Sequence, residues 1–99
     1  MPSSAGKKPL EWARAARAAF AASLDYIARE DPFTAKLFAE RVDKALTLIQ
    51  EQPNIGAPAA ARGYRTFPMP NTGHSVNYRE LRTAIRILRW YRQRQNVRR

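Results

Sequence analysis

The chain has 99 residues, no cysteine and a formal net charge of +10 at pH 7. This length is sufficient for one domain with its own core, and the lack of cysteine excludes disulfides, thiolate zinc sites and a cysteine nucleophile. No apolar stretch is long enough for a signal peptide or a membrane span, so we expect no membrane association and a cytoplasmic location.

A strand and a helix are the first predicted elements, after an N-terminal segment, residues 1–8, that we expect to be flexible. Apolar and polar residues alternate from Leu10 to Arg14, which is typical of a short half-buried strand. From Ala15 apolar residues recur every three or four positions, and the many alanines favour a helix. This helix should end before Asp31 and Pro32, which are suited to cap and to begin a second helix.

The second predicted helix extends from Phe33 to Gln52 and ends at Pro53. Its apolar residues form one stripe, which Leu37, Leu46 and Leu48 broaden. The core of the stripe is Ala35, Phe38, Val42, Ala45 and Ile49. Turn residues without any period follow from Asn54 to Gly63, so we expect a loop there.

Three strands are predicted in the last third of the chain, at 64–69, 74–79 and 84–91. A hairpin turn at 70–73 and a second reversal at 81–83 separate them. In the third strand, simple alternation places Ile85 and Ile87 on one face. It places Ala84, Leu88 and Trp90 on the other face.

This order of elements predicts an α+β fold with two layers. An N-terminal strand and a helical hairpin are followed by a three-stranded antiparallel meander, which packs on the helices. Residues 1–99 form a single domain, and residues 95–99 form a flexible basic tail. We expect Arg65, Arg79 and Arg86 to lie on an exposed or concave surface that the segment from Arg89 to Arg94 extends.

Positive charge is concentrated in residues 62–99, which contain ten arginines and a single acidic residue, Glu80. This segment has a formal charge of +9, whereas residues 1–61 contribute only +1. A charge distribution of this kind attracts an anionic partner.

Short motifs spaced along residues 9–98 resemble the RelE/ParE superfamily of small bacterial toxins from type II toxin–antitoxin systems. The resemblance rests on Trp12 with Ala16, Ser23-Leu24-x-x-Ile27, Asp31-Pro32, Leu48 with Pro53 and Gly56, Gly63-x-Arg65, Val76-x-Tyr78, Ile87-x-Arg89 and Arg94-Gln95-Asn96. ParE-like members often have an aromatic residue and a histidine near the C-terminus. Here Tyr91 occupies the aromatic position and Arg92 the histidine position.

The resemblance to the ParE-like branch implies a toxin that binds DNA gyrase and inhibits it without catalysis. It also implies a cognate antitoxin that is acidic and partly disordered, and a higher-order toxin–antitoxin assembly is possible. The antitoxin could add a strand to an edge of the sheet, next to the strand of Trp12 or that of Tyr64. The residues expected to contact the target or partner are Arg65, Arg79, Arg86, Arg89, Tyr91, Arg92 and Arg94.

Two alternatives remain at this point. A RelE-type toxin would cut mRNA on the ribosome, and Arg65, Arg89 and Tyr91 are then the candidate catalytic residues. The only histidine, His74, is expected to be a solvated residue beside the turn, and one such residue cannot supply both proton transfers. The other alternative is a basic single-stranded nucleic-acid-binding domain, in which tyrosines stack on bases. No cofactor or metal is expected, since no group of residues has ligand spacing.

Overall fold

The computed structural model of the protein describes residues 7–93. The expected flexible segments therefore lie outside the described residues, apart from Lys7 and Lys8, and so does Arg94. The elements in chain order are β1 (Leu10–Trp12), α1 (Arg14–Glu30), α2 (Pro32–Glu51), β2 (Ala57–Pro58), β3 (Arg65–Met69), β4 (His74–Glu80) and β5 (Ile85–Arg92).

One five-stranded sheet with strand order β1-β5-β4-β3-β2 forms the first layer. The N-terminal strand β1 lies parallel to β5, and the other neighbours are antiparallel. Both helices pack against the same face of this sheet, and Phe38, Val42 and Ile49 of α2 share a buried cluster with Val76 and Ile87 of the strands. The predicted α+β architecture with a helical hairpin and a meander is confirmed.

The two helices are joined by a tight turn at Asp31, as predicted. Its side chain accepts hydrogen bonds from the backbone N–H of Phe33, at 3.1 Å, and from the hydroxyl of Thr34, at 2.8 Å. Pro32 occupies the first turn of α2, where its missing N–H removes no helical bond. In α1, Asp25 and Arg29 form an i,i+4 ion pair at 2.7 Å.

The Asp31 cap makes the stability of the helical hairpin dependent on pH. The hydrogen bond from the Thr34 hydroxyl, followed by that from the Phe33 N–H, lowers the pKa of Asp31 below its usual 3.8. The folded state thus favours the carboxylate form of Asp31. The contribution of this carboxylate to the stability of the fold is fully present above pH 3.8 and is lost as the pH falls through the lowered folded-state pKa. We expect Asp31→Ala to melt at a lower temperature than the wild type at neutral pH, by a difference that shrinks in acid.

Thermal melts of both proteins from pH 7 down to about pH 2 measure this difference. The exposed Asp25→Ala variant is the control and should melt closer to the wild type at neutral pH. A melting-temperature difference for Asp31→Ala that stays constant into acid would contradict the role of the carboxylate.

A β-bulge in β5 changes which face its residues occupy. Asn77 pairs with Arg89 but the next residue, Tyr78, pairs with Ile87, so Leu88 is skipped in the register. Because one extra residue reverses the alternation, Trp90 lies on the same face as Ile87. Trp90 is 5% exposed and belongs to the core cluster. The predicted grouping of Trp90 with Leu88, away from Ile87, is therefore wrong.

The segment expected to be a loop, residues 54–63, contains the two-residue strand β2, which pairs with the start of β3. Buried Tyr78 supports this segment from β4, because its hydroxyl donates to the carbonyl of Pro53 at 2.6 Å and accepts from the N–H of Gly56 at 3.0 Å. A Cβ on Gly56 would lie 2.7 Å from the carbonyl oxygen of Thr66 and 2.9 Å from the Tyr78 hydroxyl. Glycine is thus required by this close approach.

Candidate functional site

On its second face the sheet is covered by no helix of residues 7–93, and we call this the outer face. Cross-strand partners point to the same side of a sheet, and Val76 and Tyr78 point toward the helices. Their neighbours in β4, together with the residues paired to those neighbours, consequently lie on the opposite side. The outer face includes Pro68, and its polar and aromatic residues are Glu11, Tyr64, Thr66, Ser75, Asn77, Arg79, Arg86, Arg89 and Tyr91.

Two arginines are directly opposite each other at the centre of the outer face. Arg79 of β4 is the register partner of Arg86 of β5. Like charges in this arrangement destabilise a sheet. The Arg86 guanidinium donates to the carboxylate of Glu11 at 3.1 Å, and the Arg79 guanidinium lies 5.6 Å from the ring centroid of Tyr64. Glu11 is the only acidic residue among the nine that define this face.

A second arginine–tyrosine pair lies further along β5. The guanidinium carbon of Arg89 is 5.0 Å from the ring centroid of Tyr91, within the range of a cation–π contact. The Tyr91 hydroxyl is hydrogen-bonded to the hydroxyl of Thr66 at 2.7 Å, which fixes the plane of the ring across β4. Asn77 lies between Thr66 and Arg89 in the register. Its Oδ1 is the single buried side-chain nitrogen or oxygen atom between residues 7 and 93 without a hydrogen-bond partner.

Of the predicted contact residues, Arg79, Arg86, Arg89 and Tyr91 share the outer face. Arg65 does not, because it pairs with Tyr78 and therefore lies on the helix side, where its guanidinium donates to the carbonyl of Gly56 at 2.7 Å. Arg92 pairs with His74 and also lies on the helix side, at the opposite end of the sheet. The single surface expected from Arg65 to Arg94 is thus divided in two within the described residues.

His74 differs from its expected solvated state. Its ring stacks on Trp90 with centroids 4.9 Å apart and lies edge-on to Phe38 at 5.7 Å. The carbonyl of Thr72 accepts from Nδ1 at 2.9 Å, which leaves Nε2 facing the hydroxyl of Ser23 at 3.3 Å. Trp90 Nε1 donates to the same hydroxyl at 3.0 Å. This network joins α1 to the sheet.

A cavity of about 370 Å³ adjoins this network, between α1 and the β3–β4 turn, and Arg92 lies in its wall. Sequence reasoning missed the network, because Ser23 and His74 are 51 residues apart and no local pattern connects them. The remaining lining residues are Ala22, Tyr26, Ile27 and Thr72.

The chemistry of the outer face is that of binding an anion. Arg79, Arg86 and Arg89 supply positive charge, and the nearest carboxylate, Glu11, is held in an ion pair. The three residues named for an RNase do not converge, since Arg65 lies on the other side of the sheet from Arg89 and Tyr91. Residues 7–93 contain no group of three His, Cys, Asp or Glu residues placed to bind a metal ion. No helix in this range is long and apolar enough to cross a membrane.

A solved structure described as a chromosomal ParDE toxin–antitoxin system from P. aeruginosa is similar to the chain, with a TM-score of 0.76 and 26% sequence identity. The match covers 91% of this chain and 100% of that chain. No curated protein matches the sequence. Residues 10–97 match a family model described as the ParE toxin of the type II toxin–antitoxin system parDE.

Proposed function

Because the chain belongs to the ParE toxin family of type II toxin–antitoxin systems, we propose that it inhibits DNA gyrase by binding the enzyme. The toxin acts without bond-making chemistry of its own. Membership of the family implies a cognate antitoxin, and we propose that this antitoxin neutralises the toxin by covering its basic surface.

The outer face carries this proposal. Binding a large charged assembly such as gyrase with its DNA needs exposed cations on a rigid frame, which Arg79, Arg86 and Arg89 provide on two adjacent strands. RNA cleavage without a metal needs a general base and a general acid near the scissile phosphate. His74 lies on the helix side of the sheet, packed against Trp90, and is therefore remote from these arginines.

Of the two strands expected to accept a strand from the antitoxin, that of Trp12 has the more open edge within residues 7–93. β1 is an edge strand, with β5 on its only paired side. The strand that follows Tyr64 is covered at Arg65 and Thr66 by β2, so an added strand would find its backbone groups already paired there. An acidic segment of the antitoxin that adds to β1 would lie next to Glu11 and Arg86, at the border of the outer face.

Two assays with the purified chain test the proposed function. We expect inhibition of gyrase supercoiling, or trapped gyrase–DNA cleavage complexes, and intact mRNA on translating ribosomes. In the Arg86→Glu, Arg89→Glu double variant the gyrase effect should fall at least tenfold, because repulsion replaces attraction at two adjacent contacts. The control, Arg14→Glu with Arg17→Glu on exposed α1 positions, changes the net charge equally and should keep the wild-type effect.

Cut mRNA with unaffected gyrase would replace this proposal with the ribosome-dependent RNase. Equal losses in the two double variants would mean that net charge alone, and not the outer face, governs inhibition.

A further inference from the structure

We propose that the outer face binds single-stranded nucleic acid, with bases stacked on its arginine–tyrosine pairs and phosphates held by its arginines. This inference rests on the proposed function, because it assigns single-stranded nucleic acid as a ligand of the outer face that is proposed to bind gyrase. The binding itself requires no gyrase, so the two can fail separately.

Arg79 and Arg86 are directly opposite each other on neighbouring strands, which places two positive charges side by side at the centre of the outer face. The Arg86 guanidinium contacts Glu11, whereas that of Arg79 lies over Tyr64 and has no carboxylate partner within residues 7–93. A polyanion that crosses both strands would be attracted by both charges.

The arginine–tyrosine pairs favour nucleic acid over an acidic peptide. Arg89 lies over Tyr91, whose hydroxyl is tied to Thr66, so one flat platform is fixed in position. Arg79 lies over Tyr64 and provides a second one, two strands away from β5. Unpaired bases stack on aromatic rings and on guanidinium planes, whereas aspartate and glutamate side chains interact only with the positive charge of the arginines.

The dimensions of the face are also suitable. Neighbouring strands are about 4.8 Å apart, so the platform on β5 and the one beside β3 are separated by about 10 Å across the strands, and they are offset along the strands by roughly three residues, or about 10 Å. Other sheets that bind single strands stack two or three bases over a comparable width. A duplex would hide its bases from both platforms, and for this reason a single strand is the inferred ligand.

Fluorescence anisotropy with a labelled 12-nucleotide single-stranded DNA, at low and moderate salt and without gyrase, tests this inference. The decisive variant is Arg79→Lys with Arg89→Lys, which keeps the charge and removes both guanidinium planes. We expect its affinity to fall about tenfold, since loss of stacking under one base has an effect of this order. The matched control, Arg14→Lys with Arg17→Lys on exposed α1 positions, should bind as the wild type does.

A poly-glutamate peptide of equal charge serves as the competing partner, and thermal melts establish that both variants are folded. The inference is supported if the outer-face lysine variant loses DNA affinity and keeps its affinity for poly-glutamate. It is overturned if the wild type binds no DNA, if the lysine variant binds DNA as tightly as the wild type, or if it loses both ligands equally. Gyrase inhibition without DNA binding would overturn only this inference, and DNA binding without gyrase inhibition would overturn only the proposed function.

Discussion

The Trp90→Ala variant is expected to unfold with a free energy about 3–5 kcal/mol lower than that of the wild type. The indole packs between the two helices, with ring centroids 5.0 Å from Phe20 and 6.0 Å from Phe38. It also stacks on His74 and donates to the Ser23 hydroxyl, which would lose this donor and keep only the 3.3 Å contact with His74 Nε2. Urea denaturation measures the difference, and the slope of the transition should stay similar.

Leu88→Ala is the matched control for the bulge. If β5 alternated regularly, Leu88 and Trp90 would lie on the same face of the sheet. Leu88→Ala and Trp90→Ala would then both remove packing contacts on that face. The bulge instead leaves Leu88 half-buried and outside the core cluster. We expect Leu88→Ala to lower the unfolding free energy by no more than about 1.5 kcal/mol, because less apolar area is lost from burial. Equal effects of the two variants would contradict the observed register.

Removal of a single oxygen from Tyr78 should have the second largest effect. Tyr78→Phe leaves the Pro53 carbonyl without its donor and the Gly56 N–H without its acceptor, both beside a fully buried ring. Each unsatisfied buried group destabilises the fold by about 1–3 kcal/mol. Because the Pro53 carbonyl is only partly buried, we expect a total loss in the lower part of the summed range, about 2–4 kcal/mol, in urea denaturation. Tyr26→Phe, at a position 61% exposed, should change the stability by less than about 0.5 kcal/mol.

Alkaline pH provides an independent check on Tyr78. Burial raises the pKa of its hydroxyl above the usual 10.0, against the opposing effect of the hydrogen bond from Gly56. The folded state therefore binds the proton more tightly than the unfolded state, and the free energy of unfolding falls as the pH rises above 10.0. The stability difference between the wild type and Tyr78→Phe should thus narrow in alkali. A difference that widens would mean that the phenol is not buried as described.

These two residues also explain how the fold separates its surfaces. Trp90 attaches α1 to the end of β5, and Tyr78 attaches the 53–56 segment to β4. Between these attachments, the pairing of β4 with β5 places Arg79, Arg86 and Arg89 together on the outer face. The proposed binding of gyrase and of single-stranded nucleic acid both depend on this frame.

The sequence alone determined the elements whose signals are local. A hydrophobic stripe from Ala35 to Ile49 defines the buried face of α2, and the Asp31–Pro32 pair defines the start of that helix through interactions within three residues. Turn residues at 70–73 mark a hairpin by the same kind of short-range chemistry. These signals, with the motifs that resemble the RelE/ParE superfamily, were enough to predict the α+β architecture and the family.

Only the tertiary structure decided which side chains share a surface. At Leu88 the register between β5 and β4 shifts by one residue, so the residues of β5 after Leu88 change faces. No local pattern in the sequence around Leu88 predicts this shift. Because of this shift Arg92 faces the helices and Arg89 faces outward with Arg79 and Arg86. Arg65 faces the helices for a separate reason, its pairing with Tyr78. The reason is physical: helices and turns are specified by neighbours a few residues away, whereas a strand's face depends on pairing with another strand, which the chain reaches only when it folds.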